Sequence, residues 1–484
     1  MKALSLPFSL SFTSLGYLLC LGILCLLQRL LPRKLSPLLL LAASILFYFC
    51  MMPAALPIVA VFVCFVYLGG FLLAKPSAKR GKFAVLFIGG TILFLLIFKY
   101  LPWAAEGITG RGFSLILPLG ISYFTFSAIS YLVDVYKGKI PAQKSFLDLS
   151  LYILFFPKIT AGPIERPDSF FASLRRMEDP ANPLPREDSK ALLLLLSGFL
   201  RKLAVSDLLA PAVAAVFDAP GDNPGGFSLC LAAFLFAWQL YGDFAGYTDI
   251  ARGSALLLGV PLPENFDSPY AAKTIREFWR RWHISLSSFL RDYIYIPLGG
   301  SRAGNAKKQR NLLITFLVSG LWHGASLPYV LWGALHGLLQ ILENLLEPIR
   351  RRLTGRLKKG EHSLLYRIPA TILTFLLVDL CWIVFRAATL RDLGRLLASL
   401  GHMGDLSAAW RYLGLSLPLL LTVCAALLLS KLLHLYLDAP ERFRSLRQPL
   451  AALPLLVALV LGVGLLLLYA AHSGGGGEFI YVAY

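Results

Sequence analysis

The sequence predicts an all-α integral membrane protein, and three observations carry that prediction. Hydrophobic residues fill 57% of the 484 positions and charged residues only 15%, far from the roughly 45–50% apolar and 25% charged of soluble domains. Apolar runs recur along the whole chain, many long enough to cross the roughly 30 Å of hydrocarbon in a bilayer. Basic residues gather in short clusters between those runs, as cytoplasmic loops do. One membrane domain over residues 1–484 is therefore expected, although length alone would suggest about three soluble domains.

The first run, 11–31, follows Lys2 and could pass for a signal peptide. It ends at Arg29, Pro32, Arg33 and Lys34 without a small-residue cleavage site, so it reads as the first span. Further runs lie at 37–52, 57–74, 83–101 and 113–136, then at 147–162, 191–216, 227–241 and 245–260. The last are 311–325, 327–347, 368–387, 412–433 and 450–471. Several are too short or too broken to span, which leaves roughly ten to twelve spans plus re-entrant or interfacial helices.

The charges set an orientation. Arg33 and Lys34 follow the first span, Lys75 to Lys82 the third, and Lys137, Lys139 and Lys144 the fifth. Each cluster comes two spans after the last, so all share one side, which the positive-inside rule makes cytoplasmic. Arg350, Arg351, Arg352, Arg356, Lys358 and Lys359 form the strongest cluster, and Arg442, Arg444 and Arg447 continue the pattern. Both termini are then expected outside the plasma or inner membrane. The net charge of +19 reads as topology and contact with anionic membrane lipid. Nucleic acid is not an expected partner, because no basic, polar domain exists to hold it.

All seven cysteines, Cys20, Cys25, Cys50, Cys64, Cys230, Cys381 and Cys424, lie in apolar stretches and form no CxxC pair. They read as small core or lipid-facing residues, not disulfides or metal ligands. Segment 163–190, rich in Pro and charge, reads as a cytoplasmic loop. Segment 264–310 is the most polar and aromatic part of the chain, with Arg276, Glu277, Arg280, Arg281, His283, Arg291 and Asp292 among Trp279, Trp282, Phe289, Tyr293 and Tyr295. No lipid-facing span carries such a load, so it must be an interfacial helix or line a wet cavity. No internal repeat or inverted symmetry is evident.

Three histidines stand out: His283 in FWRRWHISLSSFLRDY, His323 in SGLWHGASLPYVLWG and His336 in WGALHG. The run around His323 is almost wholly apolar, where an ionisable group is a functional candidate. Gly320 and Gly324 flank it and let a helix or slim substrate approach closely. An imidazole can take a proton from an acceptor hydroxyl near neutral pH. The plainer alternative is a histidine bonded to a neighbouring helix, and the proximity of His283 and the polar block favours catalysis. His283 could equally cap an interfacial helix or bind a lipid phosphate. His336 reads as structural, and His362, His402, His434 and His472 read as solvated. No HExxH, CxxC pair or HxH supports a zinc site, and no GxSxG supports a hydrolase. Asp243 and Asp249 in YGDFAGYTDIARG are candidates for proton relays or for partners of an arginine or of helix-terminal amides.

The stretches FFPKITAGPIERP (155–167), YGDFAGYTDIARG (241–253), FWRRWHISLSSFLRDYIYIPLGGSR (278–302) and LWHGASLPYVLWGALHG (321–337) together resemble the membrane-bound O-acyltransferase (MBOAT) family. The likeness is closest to the branch with the alginate and peptidoglycan O-acetylation membrane proteins, with the D-alanyl transfer protein of teichoic acid modification nearby. The core motifs span 155–337, and weaker likeness runs through most of the chain. The resemblance implies a ring of tilted helices around a narrow polar tunnel, in which a cytoplasmic acyl thioester meets an extracytoplasmic acceptor. Position by position, His323 matches the family's essential histidine and His283 the second one. Arg276, Arg280, Arg281, Trp282 and Arg302, with Lys307 and Lys308, would bind the donor, whose phosphates suit basic residues. Positive-inside anchoring accounts for several of the same charges without a ligand. No tightly bound cofactor is implied; the donor would be acetyl-CoA or a phosphopantetheinyl carrier thioester. An extracytoplasmic acyltransferase is an implied partner. A thioester is already activated, so a base, an oxyanion donor and positioning suffice. D-alanyl transfer from a carrier protein is the alternative within the family. A polytopic transporter or flippase with histidine relays is the rival from another class, but paired broken helices in two halves are missing.

The tail 473–484, extracytoplasmic by the charge pattern, follows His472 and reads SGGGGEFIYVAY. EFIYVAY resembles the aromatic ending of the same branch, although its last residues depart from the commoner Phe-rich form. From His472 to Tyr481 the Gly-rich chain reaches ~17 Å as a random coil, enough to dip Tyr481 into the mouth of the bundle. Tyr481 is thus a third candidate, a nucleophile acylated with His323 as base. Its hydroxyl, with a pKa near ~10, needs a base to attack and leaves readily afterwards. A tail that merely plugs the bundle or docks a partner is the plainer reading.

Overall fold

The computed structural model describes residues 11–109, 115–179, 181, 187–223, 225–302, 304–356, 360 and 363–438. Helices are the regular elements among these residues, joined by turns and loops, and Phe266 and Trp282 form an isolated antiparallel bridge. The contacts divide the chain into two compact units. The first is built from the chain up to Lys202, Gly246–Pro263 and the chain from Leu427; the second from Leu203–Ala245 and Glu264–Ala426.

The first unit contains α1 (Leu15–Leu30), α2 (Ser36–Met51), α3 (Leu56–Ala74), α4 (Arg80–Ala84), α5 (Gly90–Thr109) and α6 (Ile121–Tyr136). It continues with α7 (Phe146–Leu154), α8 (Phe156–Ile159), α9 (Pro167–Glu178) and α10 (Asp188–Arg201). Local signals start several of these helices. Ser14 caps α1 by accepting from the Tyr17 N–H at 3.1 Å, and Ser145 does the same for α7 from Asp148. Proline occupies the first turn of α2 and α3, where its missing N–H is no loss. The run expected at 147–162 breaks into α7 and α8, which are buried and too short to span.

The second unit contains α11 (Leu208–Phe217), α12 (Gly226–Leu257), α13 (Ile275–Arg281), α14 (Ile284–Leu290) and α15 (Asn305–His323). After these come α16 (Leu327–Gly355), α17 (Leu364–Arg386), α18 (Leu390–Ala398), α19 (Leu406–Tyr412) and α20 (Leu417–Asp438). Helices α12 and α20 contribute residues to both units. The runs expected separately at 227–241 and 245–260 form the single 32-residue helix α12. Gly242, Asp243 and Phe244, which separate the two expected runs, lie inside an unbroken helix.

Among the described residues, six helical stretches are long and apolar enough to cross a membrane: Arg33–Met51, Pro53–Ala74, Arg80–Glu106, Gly226–Leu257, Leu364–Arg386 and Leu417–Leu437. Helix α1 is apolar but shorter. The ten to twelve spans expected are not confirmed: runs such as 311–325 and 327–347 belong to longer helices that also carry charge, and the run expected at 450–471 lies outside the described residues.

The first unit corrects one expectation. His434, expected in solvent at a span end, is 8% exposed, and its Nε2 lies 2.9 Å from Asp249 Oδ2. The same oxygen accepts hydrogen bonds from Ser197 Oγ at 2.9 Å and Arg201 Nη1 at 2.7 Å. Asp249 is therefore an arginine's partner, one of the three roles its sequence setting leaves open. A buried carboxylate needs such compensation, and that need draws the imidazole in.

Candidate active site

The site is assembled within the second unit, from α13 to α17. Helix α13 carries the arginines and is fixed at its start by a pattern legible in TIRE. The Glu277 N–H donates to Thr274 Oγ1 at 3.0 Å, and Glu277 Oε2 accepts the Lys273 N–H at 2.8 Å, close to a capping box. Glu277 Oε1 also takes Arg281 Nη2 at 2.7 Å.

Between α13 and α14 the backbone makes an unusual turn. His283 has φ 45° and ψ 54°, in the left-handed region, one of two non-glycine residues with positive φ among the described residues. Such a conformation costs about 1–2 kcal/mol in an L-residue and must be held by its surroundings. Here the segment around Asn265 holds it. The Asp267 N–H donates to the Arg281 carbonyl and the Ile284 N–H to the Asn265 carbonyl, each at 3.0 Å. The Ser285 N–H donates to Asn265 Oδ1 at 3.1 Å. The turn delivers the imidazole inward, 1% exposed, edge-on to Phe244 at 4.6 Å. Burial pushes the His283 imidazole down from its ordinary value to about 3, so it is neutral at physiological pH.

His323 is the last residue of α15 and is 3% exposed. Trp332 and Phe385 meet it edge-on at 5.0 and 5.1 Å, and Trp322 at 4.7 Å. Trp322 also lies 6.0 Å from His283, so one indole touches both histidines. The close packing of α15 on α16 depends on glycine. A Cβ on Gly320 would lie 2.3 Å from the Tyr329 carbonyl oxygen, and one on Gly333 would lie 2.4 Å from the Phe316 carbonyl oxygen. The glycine beside WHG serves close helix approach, the first of the two uses its position suggests.

His336 is fully buried on α16. Its Nδ1 accepts the Trp279 indole N–H at 3.2 Å, and Trp332 stands at 5.0 Å from both His336 and His323. The structural reading of His336 thus has a partner and an aromatic enclosure.

A cavity of about 580 Å³ opens beside this cluster. Arg276, Arg280, Arg291 and Lys308 line it together with buried Ser319 and Gln340. The donor-binding candidates divide between this cavity and other positions. Arg276 and Arg280 line it; Arg276 also bonds the Asn344 side chain and donates its N–H to Glu343 at 3.2 Å. Arg281 is engaged by Glu277, and Trp282 is 1% exposed, packed against Phe266 and Trp382 at 5.0 and 5.1 Å. Arg302 is exposed. None of these three lines the cavity. Tyr481 lies outside the described residues. Ser319 and Gln340 escaped the sequence reading, yet each sits four residues from a singled-out histidine and so on a shared helix face.

No group of three or more His, Cys, Asp or Glu placed to hold a metal occurs among the described residues.

The profile of the membrane-bound O-acyltransferase family, MBOAT, matches residues 139–359. The chain is 36% identical over 329 residues to the probable alginate O-acetylase AlgI of Pseudomonas syringae, covering 65% of this chain and 60% of that protein. The match thus spans less than two thirds of that relative's length. With the probable alginate O-acetylase AlgI of Azotobacter vinelandii it shares 34% over 391 residues, 77% of this chain and 74% of the relative. With the peptidoglycan O-acetyltransferase of Helicobacter pylori it shares 31% over 368 residues, 69% and 67% of the two chains. Likeness of this extent, over the stretch that carries both histidines and the basic cavity, makes this chain a member of the membrane-bound O-acyltransferase family.

Proposed function

We propose that this protein is a membrane O-acyltransferase that moves an acyl group, acetyl by its relatives' printed names, from a cytoplasmic thioester to a cell-surface polysaccharide. The observation that carries the reading is the placement of His323 at the end of α15, whose earlier turns line a basic cavity. Arg276, Arg280, Arg291 and Lys308 suit the phosphates of coenzyme A or of a phosphopantetheinyl carrier. His323 takes the proton of the acceptor hydroxyl as the oxygen attacks the thioester carbonyl. The C–S bond then breaks, the sulfur leaves with the electron pair, and the imidazolium returns the proton to it. His283, neutral and across Trp322 from His323, completes the pair of histidines at the site.

The first acceptor in this reading is Tyr481, on a tail that the charge pattern places outside. Its ester then passes the acyl group to an extracytoplasmic acyltransferase and so to the glycan. Tyr481→Phe keeps the ring and removes only the oxygen. The expected outcome is loss of glycan acylation at normal protein levels, measured by ester content of the isolated polysaccharide. Full acylation in that variant contradicts the carrier role.

The test of the reaction class is thioester cleavage. Purified full-length protein releases free thiol from acetyl-CoA or an acyl-carrier thioester, and His323→Ala protein does not. Absence of cleavage of either donor by the wild type would favour a transporter instead.

A further inference from the structure

We propose that the groove between α16 and α17 seats one anionic phospholipid from the leaflet on the basic side of the membrane. Its phosphate lies near Arg350 and Lys273, and one acyl chain runs between the two helices. The groove encloses about 650 Å³ and lies wholly within the second unit, apart from the cavity that Arg280 and Arg291 line. One stripe of apolar side chains comes from α16, with Leu339, Leu342, Leu346 and Ile349 at helical intervals. A facing stripe comes from α17, through Leu365, Pro369, Leu373 and Leu377. Leu342, Ile349 and Leu373 are 50%, 54% and 59% exposed, so the groove opens sideways. Helix α17 is long and apolar enough to cross a membrane, and a sideways opening on such a helix faces lipid.

The dimensions and the charges point to a phospholipid. The rise from Arg350 back to Leu339 on α16 is about 16 Å, and so is the rise from Tyr366 to Leu377 on α17. Half of the roughly 30 Å hydrocarbon core is the depth of one leaflet, so the groove accepts one chain from interface to midplane. Its polar residues include two cations, Arg350 and Lys273. The Glu347 carboxylate is shared between Arg350 and Arg351, which leaves that group of three with net positive charge. Lys273 makes no ion pair among the described residues, and its long stem lets the ammonium reach towards the interface. The one carboxylate in the lining, Glu343, is occupied by the Arg276 N–H at 3.2 Å. Basic side chains at a membrane surface attract anionic head groups. Another apolar occupant at hand is the run 450–471 of this chain, which carries no charged residue and so offers Lys273 no counter-charge.

The test titrates delipidated full-length protein in detergent with dioleoylphosphatidylglycerol or dioleoylphosphatidylcholine, which share their chains and differ in the head group. Native mass spectrometry reads the bound lipid. Wild-type protein is expected to retain a single phosphatidylglycerol at concentrations where phosphatidylcholine is lost. Lys273→Gln weakens phosphatidylglycerol binding about fivefold, the effect of one basic residue near the membrane surface, and leaves Tm in lipid-free detergent unchanged. Ala370→Trp fills the groove between the stripes, keeps both cations and abolishes retention. Lys79→Gln, which removes an exposed lysine of the first unit, leaves binding unaltered. Equal retention of the two lipids by the wild type overturns the proposal, as does wild-type phosphatidylglycerol binding in Lys273→Gln or in folded Ala370→Trp. An equal loss in Lys79→Gln assigns the preference to surface charge at large and overturns it as well.

Discussion

His323→Ala lowers acyl transfer by about 100–10,000-fold, the range for removing one general base, while the protein still folds and inserts. The expectation follows from where the residue sits. His323 ends α15, so removing its imidazole breaks no turn of helix; of its neighbours, Trp332 and Phe385 remain packed on each other at 5.2 Å and Trp322 on His283 at 6.0 Å. Glycan ester content and thioester cleavage both report the loss, and the elution profile of the purified variant reports the fold. Near-normal acylation in cells expressing His323→Ala removes the residue from the mechanism. His283→Ala behaves differently. It also releases a left-handed turn pinned by the Asn265 segment, so its activity loss comes with lowered stability.

Asp249→Ala is the second large effect, and it acts on stability, not chemistry. Asp249 Oδ2 takes hydrogen bonds from Ser197 and Arg201 and lies against His434, all within the first unit. Arg201 is 4% exposed. Removing the carboxylate strips a buried guanidinium of its counter-charge, which costs about 3–5 kcal/mol for a buried pair broken from one side. The expected result is a sharp fall in Tm and in yield of detergent-solubilised protein. The double replacement Asp249→Leu with Arg201→Met should recover much of it, since apolar residues of similar volume often replace a buried pair without loss. An Asp249→Ala protein of wild-type Tm contradicts this account of the network.

These two residues also show what a sequence can and cannot reveal. The class of the protein was legible because lipid imposes one composition and one helix length on every span. His323 stands out as a candidate because an ionisable group in an apolar run is conspicuous by itself. Asp249 was visible as an oddity, but its partner His434 lies 185 residues away, and no local pattern announces a pairing at that distance. The same limit misread His434 as solvated. Helix α12 reads as two apolar runs in sequence because Gly242 and Asp243 interrupt its hydrophobic pattern, yet neither breaks the helix. Among the basic residues of 264–310, composition could not separate Arg281, paired with Glu277, from Arg280, which lines the cavity. Only the direction of each side chain from the short helix α13 divides them.

The central claim is vectorial acyl transfer, and the most direct measurement uses the full-length protein reconstituted in sealed vesicles of known orientation. Thioester labelled in the acyl group is supplied only on the face that the positive-inside pattern predicts to be cytoplasmic and to bear Lys82 and Arg350. The account predicts that label becomes esterified to the protein, in the peptide containing Tyr481, on the opposite face. It further predicts that free thiol accumulates where the donor was added, and that His323→Ala abolishes both. Label crossing the membrane with the thioester intact, or esterification that continues without His323, would contradict it.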